Sequence, residues 1–273
     1  MALIYTLGIA IDSPKTPLAQ EHTATQQQPS RPLLLQDAVS ASTLTSAAVA
    51  LSTVLTSHRV THAFFGGWAV IAKGADRESK DLDVLVKGEK DEIVNLLTND
   101  IKGLKGEDVG TWMVIPQARN DYVAFFWKPH AASSEMVLVE LFIGPKTKIP
   151  PTVMLQVDMV HTVPVIDTPS LFRGKLAACA SRSKPNDCAD VVFLATTYSS
   201  QLPSDAIKKI DTKVIGMAVK KYPELIESLE GLGISTRKAI KKVGSCDSLS
   251  SNSSGFSISG RMNEGEVQRG LFC

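Results

Sequence analysis

The sequence lacks an excess of charge of either sign. Among its 273 residues, 29 are Lys or Arg and 28 are Asp or Glu, which gives a formal net charge of +1. A chain balanced in this way has no whole-protein attraction for nucleic acid or for an anionic membrane surface. Any basic surface it uses must therefore be local.

Long apolar runs are also missing. The N-terminal stretch from Met1 to Ile11 is apolar but too short to span a bilayer as a helix. No basic residue precedes it, so we expect an N-terminal strand or arm, with a weak signal peptide as the alternative. The absence of a longer run predicts no membrane association and a cytoplasmic location.

Cysteine is scarce. The four cysteines form no Cys-x-x-Cys pair, and no histidines stand beside them at zinc-finger spacing. We expect reduced thiols of an intracellular protein, with Cys179 and Cys188 packing as small hydrophobic residues in a helical region.

Composition divides the chain into four parts. Residues 1–32 form an N-terminal arm and a flexible linker, because 13–32 is rich in Pro, Gln, Thr and Ser without apolar periodicity. We predict a mixed domain over 33–166, a helical C-terminal part over 167–243 and a disordered, Ser-rich tail over 244–273. The fold class predicted is α+β, or α/β, with a mixed sheet and flanking helices.

Apolar periodicity locates the elements within the two folded parts. Strands are expected at 60–65, 82–86, 112–115, 122–127 and 137–143, with a further strand or hairpin at 153–166. Helices are expected at 34–57, 68–73, 91–97, 170–181, 187–197, 204–220 and 224–242, the last of them broken at Gly231 or Gly233.

Two carboxylates open the strand at 82–86. Side chains of a strand alternate between its faces, so Asp81 and Asp83 project to one side while Leu82 and Val84 face the core. Two adjacent carboxylates repel unless a cation joins them, and hard ions such as Mg2+ prefer oxygen ligands. Glu140 interrupts an otherwise apolar strand and is the predicted third ligand; a solvent-facing residue of an edge strand is the alternative.

Gly66-Gly67 lies between a strand and a helix. Paired glycines at a helix start allow backbone N–H groups to approach phosphate oxygens. A simple tight turn is the alternative. Arg77 and Lys80, in the loop before Asp81, are candidates for phosphate contact or else solvent-exposed loop cations.

The order and spacing of these features resemble one superfamily. Phe65-Gly66-Gly67, thirteen intervening residues and then Asp81-Leu82-Asp83-Val84 resemble the signature of nucleotidyltransferases of the DNA polymerase beta-like type. The resemblance implies a nucleotidyltransferase-like fold that transfers a nucleoside monophosphate from an NTP, with Mg2+ or Mn2+ as cofactor. It implies that Asp81, Asp83 and Glu140 are catalytic metal ligands and that Gly66 and Gly67 bind the nucleotide.

A second, local resemblance lies downstream. Lys175, Arg182, Asp187 and Asp190 follow one another in an order similar to small nucleotidyltransferases related to abortive-infection toxins and to uncharacterised fungal proteins. In those relatives the Lys can face the nucleotide phosphates, so Lys175 is a predicted phosphate contact, with a surface-reaching helix Lys as the alternative. We expect Arg182, Asp187 and Asp190 to form an ion-pair network that fixes helices.

The sequence leaves the acceptor open: a small molecule, a protein or RNA. The segment 205–242 has nine basic and five acidic residues, which is typical of a solvated helix face, with an RNA-binding edge as the alternative. A catalytically inactive relative that only binds nucleotide remains the alternative to an enzyme. The oligomeric state is not predicted.

Overall fold

The computed structural model describes residues 39–99 and 109–247, with side chains as far as Gly244. The predicted arm and linker over 1–32 lie outside the described residues, and so does the tail predicted over 244–273 from residue 248 onwards. Residues 244–247 of that tail are described, and they end a helix. Within the described ranges, no helix combines the length and the apolar character needed to cross a membrane.

In the first part, helices and strands alternate over the first six elements, and four further strands follow. In chain order they are α1 (Ala41–Ser57), β1 (His62–Phe65), α2 (Gly66–Ala72), β2 (Asp81–Lys87), α3 (Lys90–Thr98), β3 (Thr111–Ile115), β4 (Tyr122–Lys128), β5 (Val137–Gly144), β6 (Thr152–Gln156) and β7 (Thr162–Ile166). Each expected strand is present, and 153–166 is a hairpin. The second helix begins at Gly66 itself rather than after the glycines.

The strands of the described ranges form one seven-stranded mixed sheet in the order β3-β4-β5-β2-β1-β7-β6. The central β2 is parallel to β5 and antiparallel to β1, and β1 is parallel to β7. The outer pairs β3–β4, β4–β5 and β6–β7 are antiparallel. A mixed sheet with flanking helices is the predicted α+β class.

Helices make up the rest of the described chain. They are α4 (Thr168–Ser181), α5 (Pro185–Thr197), α6 (Ser204–Lys208), α7 (Thr212–Lys221), α8 (Leu225–Gly231) and α9 (Thr236–Asp247). The single helix expected over 204–220 is wrong: the side chain of Asp211 accepts from the N–H of Lys213 and starts a new helix there. The expected break near Gly233 is confirmed, since its φ of +78° suits glycine.

Alternation along β2 fixes how its side chains face. Leu82 and Val84 are fully buried at 0% exposure, whereas Asp81 and Asp83 are half-buried. A one-residue slip would expose both apolar side chains, each worth about 1.5–3 kcal/mol when buried. The hydrophobic core therefore holds the two carboxylates on the opposite face of the strand.

Candidate active site

Three carboxylates lie on one face of the central strands. Asp83 of β2 and Glu140 of β5 are register partners in a parallel pair, so their side chains leave neighbouring strands on the same face. Asp81 stands two residues before Asp83 on β2 and shares that face. We call Asp81, Asp83 and Glu140 the acidic face.

Gly66 brings the backbone directly against this face. Its φ is +72°, and a Cβ added to it would lie 1.8 Å from Oδ2 of Asp83. No side chain fits there, so the glycine is required both for the backbone conformation and for the close approach. At Gly67, an added Cβ would lie 2.9 Å from Oγ of Ser79. The hydroxyl of Ser79 in turn donates to Oδ1 of Asp81 at 3.2 Å.

The charges of the acidic face repel one another. Burial, followed by the negative charges of Asp81 and Glu140, raises the pKa of Asp83 to about 7, although Lys175 and Arg182 act in the opposite direction. No Lys, Arg or His among the described side chains forms a salt bridge with any of these three carboxylates. The protein has thus gathered negative charge without a cation of its own in contact.

A cavity of about 200 Å³ opens beside Asp83. Its wall combines apolar side chains with two cations; the lining residues are Phe65, Gly66, Asp83, Phe142, Ile166, Leu171, Gly174, Lys175, Ala178, Ser181 and Arg182. The cavity therefore has an anionic side on β2 and a cationic side on α4.

The cations of the cavity wall belong to a larger cluster. Lys175 lies 2.8 Å from Asp190 and 3.5 Å from Asp187, and Arg182 binds Asp187 through two hydrogen bonds of 2.7 and 3.0 Å. Arg77, from the loop before β2, binds Asp190 through two bonds of 2.6 and 2.7 Å. These five residues form the ion-pair cluster, which joins the β2 loop to α4 and α5.

Paired cations favour the ionised form of Asp187. Burial alone would raise the pKa of Asp187, but the hydrogen bond from Arg182 and the charges of Lys175 and Arg182 outweigh it and hold that pKa below its ordinary value. Asp187 and Asp190 are 2% and 1% exposed. The predicted network of Arg182, Asp187 and Asp190 is therefore present, with Arg77 and Lys175 as additional members.

The remaining predicted nucleotide contacts occupy different environments. Lys175 is buried and lines the cavity. The guanidinium of Arg77 is bound by Asp190 and also donates to the carbonyl of Gly67 at 3.3 Å, so it is not the solvent-exposed loop residue of the alternative reading. Lys80 is exposed and lies outside the cavity lining. The phosphate contacts of all three stay predictions.

Within the described ranges, no three His, Cys, Asp or Glu side chains are arranged closely enough to enclose a metal ion. The acidic face nevertheless offers carboxylate oxygens, which are the kind of ligand that Mg2+ or Mn2+ prefers. Mg2+ commonly takes only one or two protein carboxylates and completes its shell with water and substrate phosphates. Burial and the mutual repulsion of the carboxylates raise the pKa of Asp83, and a bound cation would offset that repulsion.

Two contributors at the site were not recognised from the sequence. The sequence predicts Arg182 for the ion-pair network but not for the cavity. It caps the C-terminus of α4, seven residues after Lys175, and that spacing of about two helical turns is the available signal that both reach the same site. Tyr122 donates its hydroxyl hydrogen bond to Oε1 of Glu140. No sequence signal points to that pair, because it depends on the register between β4 and β5.

Comparison with known proteins identifies a family match over most of the chain. The profile described as "Nucleotidyl transferase AbiEii toxin, Type IV TA system" matches residues 50–229, which include β1, β2, β5 and the ion-pair cluster. No curated protein matches the chain.

Solved structures with a similar arrangement are distant in sequence. An antigenic nucleotidyltransferase-like protein from Paracoccidioides brasiliensis is 18% identical, with 71% of this chain and 95% of that one covered and a TM-score of 0.46. The nucleotidyltransferase toxin MenT4 from Mycobacterium tuberculosis H37Rv is 16% identical, over 68% of this chain and 65% of that one, with a TM-score of 0.41. The lincosamide antibiotic adenylyltransferase LnuA, bound to lincomycin, is 14% identical, over 59% and 99%, with a TM-score of 0.39.

Proposed function

The chain belongs to the AbiEii family of nucleotidyltransferase toxins, and from that membership we propose a metal-dependent transfer of a nucleoside monophosphate from an NTP to an acceptor hydroxyl. The observation that carries the proposal is the acidic face: Asp83 and Glu140 in register on parallel strands, with Gly66 packed directly on Asp83. Carboxylates gathered without a salt-bridge partner suit a cation that arrives with the substrate.

Asp81, Asp83 and Glu140 would hold Mg2+ or Mn2+. The bound ion supplies neutralisation of the triphosphate charge and activation of the attacking oxygen. Holding the ion is the first task of the acidic face. The glycines before β2 leave room beside it, because no side chain at position 66 occupies the space next to Asp83.

Lys175 and Arg182 would bind the triphosphate from the other side of the cavity. Lys175 is held by Asp187 and Asp190, and Arg182 is held by Asp187, so both cations are oriented before substrate arrives. The predicted contacts of Gly66 and Gly67 with the nucleotide, and those of Arg77 and Lys80, belong to the same proposal. Arg77 would act mainly by fixing the Gly67 turn, since it binds the carbonyl of that residue.

The transfer balances as a single displacement. The acceptor oxygen forms a bond to the α-phosphorus, the bond from that phosphorus to the α–β bridging oxygen breaks, and pyrophosphate leaves with the electron pair. The acceptor proton passes to the carboxylate of Glu140. The acceptor itself, whether small molecule, protein or RNA, is left open.

Isothermal titration tests the proposal with ATP, GTP, CTP and UTP in the presence of Mg2+. We expect at least one NTP to bind, and we expect binding to be lost when Asp81→Asn and Asp83→Asn are combined. Asp205→Asn is the matched control, because Asp205 is 90% exposed and pairs only loosely with Lys208 at 3.7 Å. Binding of none of the four NTPs, or binding unchanged in the double variant, would contradict the proposal.

Transfer is measured separately with NTP labelled at the α-phosphate or the γ-phosphate. Enzymatic transfer moves the α-label to an acceptor and releases the γ-label as pyrophosphate. Binding of intact NTP, with neither label released in the presence of small-molecule, protein and RNA fractions, would instead support a catalytically inactive nucleotide-binding protein.

A further inference from the structure

Tyr122, a residue of β4, contacts the acidic face directly although it is not part of it. β4 and β5 pair antiparallel with Ala124 opposite Glu140 and Tyr122 opposite Phe142, so Tyr122 and Glu140 are diagonal neighbours on one face of the sheet. The Tyr122 hydroxyl donates to Oε1 of Glu140. A hydrogen bond to an ionised carboxylate is among the stronger kinds, so this contact can orient the side chain.

The ring of Tyr122 is itself held in place. It packs against Phe142 with ring centroids 5.4 Å apart, and the guanidinium of Arg119 lies over its face at 5.6 Å. Arg119 is fixed in turn by two hydrogen bonds of 2.9 Å to Asp121. The hydroxyl is therefore presented by a ring supported on two sides.

Glu140 needs such a contact more than the two aspartates do. Its side chain is one methylene longer, it is half-buried, and its charge repels that of Asp83. Repulsion alone would turn a flexible glutamate away from Asp83 and towards solvent. Among the described residues, hydrogen bonding to Glu140 involves Oε1 only, which leaves Oε2 as the oxygen available to a cation.

We propose that Tyr122 is a positioning residue: its hydroxyl holds Oε1 of Glu140 so that Oε2 faces the cation shared with Asp81 and Asp83. This inference rests on the proposed function. Tyr122 lies outside the lining of the cavity beside Asp83, so it acts through Glu140 rather than by contact with the nucleotide in that cavity. Hydrogen bonds that orient metal ligands typically contribute about 10–100-fold to metal affinity or activity.

Tyr122→Phe removes the hydroxyl and keeps the ring. We expect Mn2+ affinity, measured by electron paramagnetic resonance in the presence of a non-hydrolysable NTP analogue, to fall about 10–100-fold. The matched control is Tyr198→Phe, which removes a hydroxyl that donates to the Lys73 carbonyl at 2.5 Å, away from the acidic face. That control should bind Mn2+ as the wild type does.

A double-mutant cycle separates positioning from a general structural effect. In a Glu140→Gln background, which already lacks the charged ligand, Tyr122→Phe should lower Mn2+ affinity by less than twofold. An equal loss in both backgrounds, or Mn2+ affinity of Tyr122→Phe within twofold of wild type, would overturn the inference.

Two further outcomes are distinguishable. If wild-type protein binds neither Mn2+ nor NTP, the proposed function fails first, and this inference falls with it. If circular dichroism shows that Tyr122→Phe does not fold, Glu140→Asp is the second variant: it keeps the charge but withdraws it from the hydroxyl by one methylene. The same 10–100-fold loss is then expected, and Mn2+ affinity within twofold of wild type would overturn the inference.

Discussion

The protein has two groups of carboxylates near one cavity, and they differ in how their charge is balanced: Asp83 of the acidic face lines that cavity, and so do Lys175 and Arg182, the cations paired with the second group. Asp187 and Asp190 of the ion-pair cluster are almost fully buried and share three cations. Asp81, Asp83 and Glu140 of the acidic face have no salt bridge among the described side chains. The cluster thus joins two carboxylates to three cations, while the three carboxylates of the acidic face have no salt-bridge partner among the described side chains.

The pKa values follow this difference. The cations of the cluster hold the pKa of Asp187 below its ordinary value, whereas burial and neighbouring carboxylates raise the pKa of Asp83 to about 7. Buried carboxylates that the protein neutralises itself suit a structural role. Carboxylates left without a protein cation suit a metal ion that arrives from solution. We therefore expect Asp→Asn substitutions in the two groups to change stability in opposite directions.

The largest effect is expected from Asp190→Asn. Asp190 is 1% exposed and bridges Arg77 and Lys175, so removing its charge leaves two cations short of a partner in a buried place. Breaking a buried pair in this way typically lowers the free energy of unfolding by about 3–5 kcal/mol. Urea denaturation measures the change.

Asp205→Asn is the surface control for that experiment, since its pair with Lys208 is largely exposed. Loss of an exposed pair changes stability by about 0–1 kcal/mol. If Asp190→Asn lowers the free energy of unfolding no more than Asp205→Asn does, the ion-pair cluster does not stabilise the fold as proposed.

A smaller loss of stability, but a specific loss of function, is expected from Gly66→Ala. At a φ of +72° an alanine is strained by about 1–2 kcal/mol. The added Cβ also displaces the Asp83 carboxylate, so Mg2+-dependent NTP binding should weaken at least tenfold in isothermal titration.

Gly74→Ala is the matched control, because Gly74 also has a positive φ, +104°, but has open space where a Cβ would lie. It should lose stability through strain while NTP affinity stays within twofold of wild type. Equal losses of affinity in the two variants would show that strain, rather than contact with Asp83, is responsible.

The local sequence pattern was sufficient to predict which residues form the acidic face. The two-residue period of a strand, with Leu82 and Val84 in the core, placed Asp81 and Asp83 on one face. The single charge in an apolar strand identified Glu140, and its register with Asp83 brings the two onto neighbouring strands. Strand alternation and a single charge in an apolar strand can be recognised in the sequence because each depends on residues only a few positions apart.

The ion-pair cluster and the contact of Tyr122 with Glu140 depend on residues that are far apart in the sequence. Arg77 and Asp190 are 113 positions apart, and nothing in the sequence near Arg77 indicates which carboxylate it meets. Tyr122 meets Glu140 only because β4 and β5 pair in one register out of several possible ones. The break at Asp211 was missed for a different reason: a capping side chain overrode apolar spacing that continues across it.

The smallest effect expected is a change in how stability depends on pH, and it separates the two groups of carboxylates by sign. The folded pKa of Asp83, about 7, lies above the ordinary aspartate value of 3.8. The folded state therefore binds this proton more tightly than the unfolded chain does, and stability falls as pH rises from about 4 to about 7. The slope attributable to one proton is at most about 1.4 kcal/mol per pH unit, and interaction with Asp81 and Glu140 spreads the titration over a wider pH range.

Urea denaturation of the Asp83→Asn variant in the presence of EDTA tests this expectation. The free energy of unfolding of the variant should not fall between pH 4 and pH 7, and near pH 7 it should exceed that of the wild type by on the order of 1 kcal/mol. Asp187 provides the opposite case, because its folded pKa is lowered and its contribution to stability is lost as pH falls rather than as it rises. An Asp83→Asn variant that is less stable than wild type at pH 7 without metal would mean that the carboxylate is already neutralised by the protein, and the distinction between the acidic face and the ion-pair cluster would fail.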